Sequence, residues 1–367
     1  MIRLKNITYK LLDSLLYPFE MKSKKKILMI LLPFLFSCTK DKEMYIEPIS
    51  ISEINNPELI LEIPQKFPPF NSFFLRNKPT KYGVQLGEKL FNDKRLSKDN
   101  SISCASCHIK ENAFTDKNPK AIGILGRIGL RNTPPIQNLA FMNFYMWDGN
   151  ELELEHQPIV PIITKEEMGS SVLEIIAKIE EDKEYQSLFK KTFGEDKITQ
   201  EKIFRSIAQY EYTLVSSNSK YDKVMKKEEA FTINEKKGYE TFQKKCINCH
   251  STELFTDQTF RNIGFPINPN KDEVGRARVT GKDQDVQAFR VPSLRNIEYT
   301  APYGSFGQFA SLKDLLDYFD KGVLNADNLD AILKNNGNKI SLTEEEKINL
   351  IHFMKTLSDQ IFIKKSE

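Results

Sequence analysis

Histidine is scarce in this chain: 367 residues hold four, alongside five cysteines and a single tryptophan. An odd cysteine count excludes a complete disulfide framework. No sustained alternation of apolar and polar residues appears, which argues against a sheet protein. Low-complexity blocks are missing too. Spanning a bilayer takes about 20 apolar residues, and the stretch Ile27–Phe36 has ten. The basic excess of a nucleic-acid binder is also absent, with 53 Lys+Arg against 50 Asp+Glu. At 28% charged and 40% hydrophobic, the chain is globular rather than a disordered tail. Its length suits two domains of roughly 150 residues.

Met21-Lys22-Ser23-Lys24-Lys25-Lys26 is a basic start before the short apolar run, the pattern of an export signal. The run ends Leu35-Phe36-Ser37-Cys38, which resembles the lipobox of bacterial lipoproteins. That resemblance implies cleavage before Cys38 and a lipid on its sulfur. Residues 1–37 then read as an upstream extension plus signal peptide, and 38–60 as a polar tether. The expected location is the bacterial cell envelope, on its periplasmic side or surface, lipid-anchored to a membrane. Without residues 1–37 the balance becomes 46 Lys+Arg against 48 Asp+Glu, so the basic excess belongs to the signal.

Beyond the tether the pattern is helical with long, proline-punctuated loops. Val172, Ile175, Ile176 and Ile179 recur at helical spacing behind Ser171, with Glu174 three residues on, a capping-box signature. Thr232 with Glu235 and Thr343 with Glu346 repeat it. The fold class is mainly α.

The two halves carry the same marks in the same order. Cys104-Ala105-Ser106-Cys107-His108 matches Cys246-Ile247-Asn248-Cys249-His250. Phe114-Thr115-Asp116 matches Phe255-Thr256-Asp257, and Ile122-Gly123 matches Ile263-Gly264. Pro134-Pro135-Ile136-Gln137-Asn138 matches Pro292-Ser293-Leu294-Arg295-Asn296, and Gly87 with Phe91 matches Gly238 with Phe242. Such order implies two copies of one domain related by internal duplication, over 61–217 and 218–367, and C-x-x-C-H in each copy, the haem c attachment motif, makes both cytochrome c-like.

C-x-x-C-H is the attachment motif of c-type haem. Both thiols bond the haem covalently, and the adjacent His binds its iron. A zinc site would need four ligands; each motif supplies three, and two His remain elsewhere. A redox dithiol would not require the trailing His twice. The cysteines then divide into four for two haems and Cys38 for lipid. His108 and His250 are the proximal ligands. His352 sits in a C-terminal helical pattern and reads as a surface or packing residue. His156 lies in a loop. At least one iron therefore lacks a second His, and an open iron can bind a small oxidant.

With Arg131-Asn132-Thr133-Pro134, Trp147-Asp148-Gly149, Glu167-Met168 and Leu294-Arg295-Asn296 leading to Thr300-Ala301-Pro302-Tyr303, the chain resembles the bacterial dihaem cytochrome c peroxidase family, which includes MauG-type enzymes. The resemblance spans roughly 65–360. It implies hydrogen peroxide reduction at the N-terminal haem. Electrons would come from a small donor, such as a monohaem cytochrome c or a cupredoxin, through the C-terminal haem. It assigns Trp147 to the space between the haems, against the plain alternative of a loop or core aromatic. Gln157, Pro161 and Glu167 take the distal positions, Glu167 as the carboxylate that moves a proton between peroxide oxygens; a solvated charge is the plain alternative. Asn132, with the backbone carbonyls of Thr300 and Pro302, matches the ligands of a calcium ion between the domains. Relatives often form homodimers.

Two positions depart from the family. Ile124 stands where some members carry a distal His, which leaves the N-terminal iron open unless His156 reaches it. Phe319 stands where members carry Met or Tyr, so the second iron has the adjacent Tyr318, water or nothing. Met354 reads as core. Two other readings stay open: a MauG-like oxidant of a protein or organic substrate, and a non-catalytic dihaem electron carrier.

Overall fold

Helices form because short amphipathic segments sit behind side-chain caps. The computed structural model describes residues 55–267 and 273–364. The signal, Cys38 and most of the tether lie outside the described residues. Among those described, thirteen α-helices and one two-stranded sheet occur, in line with the mainly α expectation. The first half holds α1 (Lys81–Asn92), α2 (Cys104–Cys107), α3 (Ile159–Ile163), α4 (Val172–Ile179), α5 (Lys183–Phe193) and α6 (Gln200–Tyr212). The second holds α7 (Lys220–Met225), α8 (Ile233–Lys245), α9 (Ala277–Thr280), α10 (Leu312–Lys321), α11 (Ala331–Asn335), α12 (Glu344–Lys355) and α13 (Gln360–Ile363). Strands β1 (Phe260–Arg261) and β2 (Phe289–Arg290) pair antiparallel. Among the described residues no helix is long and apolar enough to cross a membrane.

Thr232–Glu235 and Thr343–Glu346 form full capping boxes. The third expected box is half made. Ser171 accepts from the Glu174 amide, but Glu174 Oε2 takes the Ser170 hydroxyl at 3.4 Å instead of returning to the cap.

The main pairings are α1 on α6 and α8 on α12. Each crosses at a glycine. A Cβ on Gly87 would sit 1.9 Å from the Ser206 carbonyl oxygen, and one on Gly238 would sit 1.9 Å from that of Asn349. Gly238→Ala must therefore push α8 off α12. It is expected to lower stability by about 1–3 kcal/mol, visible as an earlier midpoint in urea unfolding.

Long loops follow α2 and α8, and buried polar bonds pin them in matching ways. Thr115 Oγ1 donates to the Thr133 carbonyl and Thr256 Oγ1 to that of Val291, each at 2.5 Å. Asn138 and Asn296 both take left-handed backbone, which Asn tolerates. Their amide nitrogens donate to Leu214 and Leu357 carbonyls. Their side-chain oxygens accept from Ser216 N and Asp359 N, at 2.8 Å each. Loop backbone this deep requires such partners.

The main apolar core of the second half is built around Phe242, Phe255, Leu350 and Phe353, with a small cluster of Val323, Leu329 and Leu333 besides. Three smaller clusters fill the first, around Leu86 and Ile207, Phe141 and Tyr212, and Phe91 and Phe114. The halves interlock. Leu254 enters the Phe141 cluster, and the Phe362 ring lies 5.3 Å from that of Phe114.

Candidate active site

The first C-x-x-C-H run is one turn of helix, and the second is a hydrogen-bonded turn that follows the end of α8. Ser103 and Ser106 cap the first turn reciprocally, and His108 N donates to the Cys104 carbonyl at 2.9 Å. The second turn extends α8, with His250 N donating to Cys246 O at 3.0 Å. His108 Nδ1 lies 2.9 Å from the Phe114 carbonyl oxygen, and His250 Nδ1 3.0 Å from that of Phe255. A carbonyl only accepts, so Nδ1 carries the proton and Nε2 keeps its lone pair for a metal. Burial lowers the pKa of both imidazoles and keeps them neutral.

All four thiols are free and half-buried. Burial pushes Cys104, Cys107 and Cys246 up to about 12. A redox dithiol needs the opposite, a stabilised thiolate. Among the described residues no cluster of three or more His, Cys, Asp or Glu is placed to hold a metal ion. Each turn opens instead on a large cavity, as a covalently held haem requires.

Counting the part open to solvent, the N-terminal cavity spans about 2480 Å³ and the C-terminal one about 1380 Å³. Cys104, Cys107, His108, Trp147, Gln157, Pro161 and Glu167 all line the first. Loop and helix both position Glu167. Its amide donates to Thr164 O at 3.0 Å, and its carbonyl accepts from Ile124 N at 2.8 Å. Burial raises its pKa, the Glu166 charge adds to that, and Arg131 opposes it. Gln157 Nε2 reaches Met146 Sδ at 3.4 Å. Ile124 is buried and lies outside the lining. His156 is exposed and also outside it, so the structure does not bring His156 to the cavity. His352 is exposed on α12, as expected.

Trp147 is held at both ends. Its indole Nε1 donates to Asn132 O at 2.8 Å, and its carbonyl accepts from Arg290 N at 2.8 Å. Asn132 and Arg290 each lie two residues before the matched prolines Pro134 and Pro292. Arg290 lines both cavities. Its Nη1 is buried without a partner, and burial pulls its pKa down to about 10. Such an orphaned donor suits an acidic group of a ligand, and haem carries carboxylates. The sequence reading missed Arg290; its place two residues before Pro292, as Asn132 stands before Pro134, was the available signal. It also missed the acid pair on Arg131, whose guanidinium donates to Asp148 at 2.8 Å and to Glu273 at 2.8 and 2.9 Å.

The C-terminal cavity corrects one expectation. Phe319 lines it, and Tyr318 does not. The Tyr318 hydroxyl donates to Gly264 O at 2.7 Å and accepts from Leu324 N at 3.3 Å, so it is spent on backbone. Met354 lines the cavity while packing in the core around Phe353. Asn132 N donates to Ser305 O at 2.9 Å, which lays its loop against the turn that carries Thr300 and Pro302.

Two haem turns, each opening on its own cavity, with Arg290 shared between them, define a two-haem c-type cytochrome. A sequence profile of di-haem cytochrome c peroxidases matches residues 81–230. The methylamine utilization protein MauG of Methylophilus methylotrophus is 31% identical over 289 residues, 77% of this chain and 84% of that protein. The cytochrome c551 peroxidase of Nitrosomonas europaea is 33% identical over 280 residues, 75% of this chain and 79% of that protein. A crystal structure of a MauG-like protein associated with microbial copper homeostasis superimposes with a TM-score of 0.74 at 29% identity, over 83% of this chain and 97% of that one. The chain belongs to the di-haem cytochrome c peroxidase family. It is an oxidoreductase with two c-type haems.

Proposed function

We propose that hydrogen peroxide is reduced to water in the N-terminal cavity, with electrons relayed from an external donor through the C-terminal half. The observation that carries this is the convergence of Glu167, Gln157 and Pro161 on the cavity that holds Cys104, Cys107 and His108. Both cysteine pairs would anchor a haem, and His108 and His250 would offer Nε2 to the irons. The bound haem supplies an iron site for peroxide and the electrons that split its O–O bond. Glu167 takes the proton from the near oxygen and hands it to the far one, which then leaves as water. Gln157 orients the oxidant with its amide. Pro161 closes the wall without adding a competing donor. Trp147, tied to Asn132 and Arg290, couples the halves.

The same reading divides the chain at about residue 217 into duplicated domains, supported by the matched glycine crossings, loop threonines and left-handed asparagines. It gives Asn132, Thr300 and Pro302 a calcium ion that fixes the Trp147 loop. It places the protein in the cell envelope with Cys38 lipidated, on the strength of the signal pattern, and assigns a small cytochrome or cupredoxin as donor. The test counts haem by pyridine haemochrome and follows peroxide consumption with reduced donor. We expect two haems per chain and turnover, and one haem without turnover in C104A/C107A. Full turnover in that variant would move the chemistry elsewhere.

A second reading, a MauG-like oxidant of another molecule, is favoured by the MauG relatives and by Ile124, which leaves no His ligand from its loop. Rapid mixing with peroxide separates the two. A long-lived oxidised spectrum without donor consumption would select this reading.

A further inference from the structure

Side chains around the C-terminal cavity would offer a bound iron few free atoms for a second protein ligand. This step rests on the two-haem reading. Beyond Cys246, Cys249 and His250, the lining carries Gln308, Lys245, Asp330 and Met354, and the polar groups of the first three are engaged elsewhere. Gln308 Oε1 accepts from Phe306 N at 3.0 Å, while its Nε2 donates to Pro266 O at 3.3 Å. Lys245 Nζ pairs with Glu346 at 2.7 Å and with Ser341 O at 2.8 Å. Asp330 accepts from Arg261 at 2.7 Å. Met354 is packed in the core built on Phe242 and Cys246, beside the attachment turn itself. Tyr318 is turned away to Gly264.

What remains is a wall of phenylalanines. Phe265, Phe306 and Phe319 all line the cavity, with Leu315 and Leu316 beside them. The Phe265 and Phe319 rings lie 5.5 Å apart, and Phe306 meets Phe289 edge-on at 5.6 Å. None can ligate iron or carry a proton. An unpaired charge entering this wall would lose its hydration without compensation. Peroxide would find no counterpart of Glu167 to move its proton. A small neutral ligand meets neither penalty.

We propose that the C-terminal cavity is a second ligand site, where the reduced iron binds a neutral diatomic gas of the carbon monoxide or nitric oxide class against the wall of Phe265, Phe306 and Phe319. The N-terminal iron is open as well, so the protein takes two such ligands per chain.

The test titrates the dithionite-reduced full-length protein with carbon monoxide and counts haem separately. Two carbon monoxide per chain with two haems is the expected result, with high-spin signals from both ferric irons in low-temperature EPR. Phe319→Met puts a second thioether on the lining, within the phenylalanine wall rather than in the core that holds Met354. It should reduce binding from two to one and add a low-spin ferric signal, with haem content unchanged. One carbon monoxide on two haems in the unaltered protein would overturn the proposal alone. Two carbon monoxide and an unchanged EPR spectrum in Phe319→Met would overturn the assignment of this wall. A count of one haem per chain would overturn the two-haem reading and this proposal with it.

Discussion

Replacing Glu167 by Gln is expected to cut peroxide turnover by about 10²–10⁴-fold, the usual contribution of a positioned acid–base group. Gln keeps the shape of the side chain, so the Thr164 and Ile124 backbone bonds that seat position 167 should persist. What it loses is the ability to take a proton and give it back. Haem content and carbon monoxide binding should therefore stay as they are while kcat falls. Unchanged kcat would reduce Glu167 to a packing residue. The pH dependence carries a second check. Glu167 must be a carboxylate to accept the first proton, so kcat/KM falls as pH drops through its pKa. Burial raises that pKa, and the neighbouring Glu166 charge raises it further. Glu166→Gln removes the like charge and leaves the burial. The acid limb of the profile should move to lower pH; a limb that stays or rises would mean another group controls it.

The haem turns are legible in the sequence because their chemistry is local: five consecutive residues fix the thiol spacing and place the His. The caps at Thr232 and Thr343 are local in the same sense, and both form. Ser171 shows where such signals weaken, since Glu174 had a competing partner in Ser170. Tyr318 and Phe319 are adjacent on α10, yet one hundred degrees of helical rotation, roughly, separates their faces. Which one meets the cavity depends on Gly264, 54 residues away, accepting the Tyr318 hydroxyl. His156 fails for a related reason: a neighbour in a turn need not share the direction of Gln157. Arg290 carries no motif of its own. Its position comes from pairing β2 with β1 and from the Trp147 carbonyl, 143 residues upstream. The proposed calcium donors would be mostly backbone carbonyls, and these leave no side-chain signature to read.

Arg295→Met is expected to cost about 3–5 kcal/mol of stability, the range for breaking a buried ion pair from one side. Arg295 is fully buried. It donates to both Asp222 oxygens, at 2.9 and 2.8 Å, and to Glu253 O at 2.6 Å. Its guanidinium lies 4.6 Å from the centre of the Phe67 ring, so it also joins the N-terminal segment to the C-terminal core. Met fills the space but strands the Asp222 charge. The double change R295M/D222L removes both charges and should recover most of the loss, because replacing a whole buried pair by apolar groups is often near neutral. The loss should also depend on pH. Burial pushes the Asp222 carboxyl up, but the Arg295 hydrogen bonds and charge outweigh it and hold the pKa below its usual value of 3.8. A depressed carboxyl stabilises the fold above its unfolded pKa and loses that contribution as pH falls through the folded one. Urea unfolding should show the full difference between Arg295→Met and the unaltered protein at pH 7. Below about pH 4 the difference should shrink, since protonated Asp222 no longer needs its partner. A gap that stayed constant with pH would place the cost in the lost contact with Phe67 rather than in the charge.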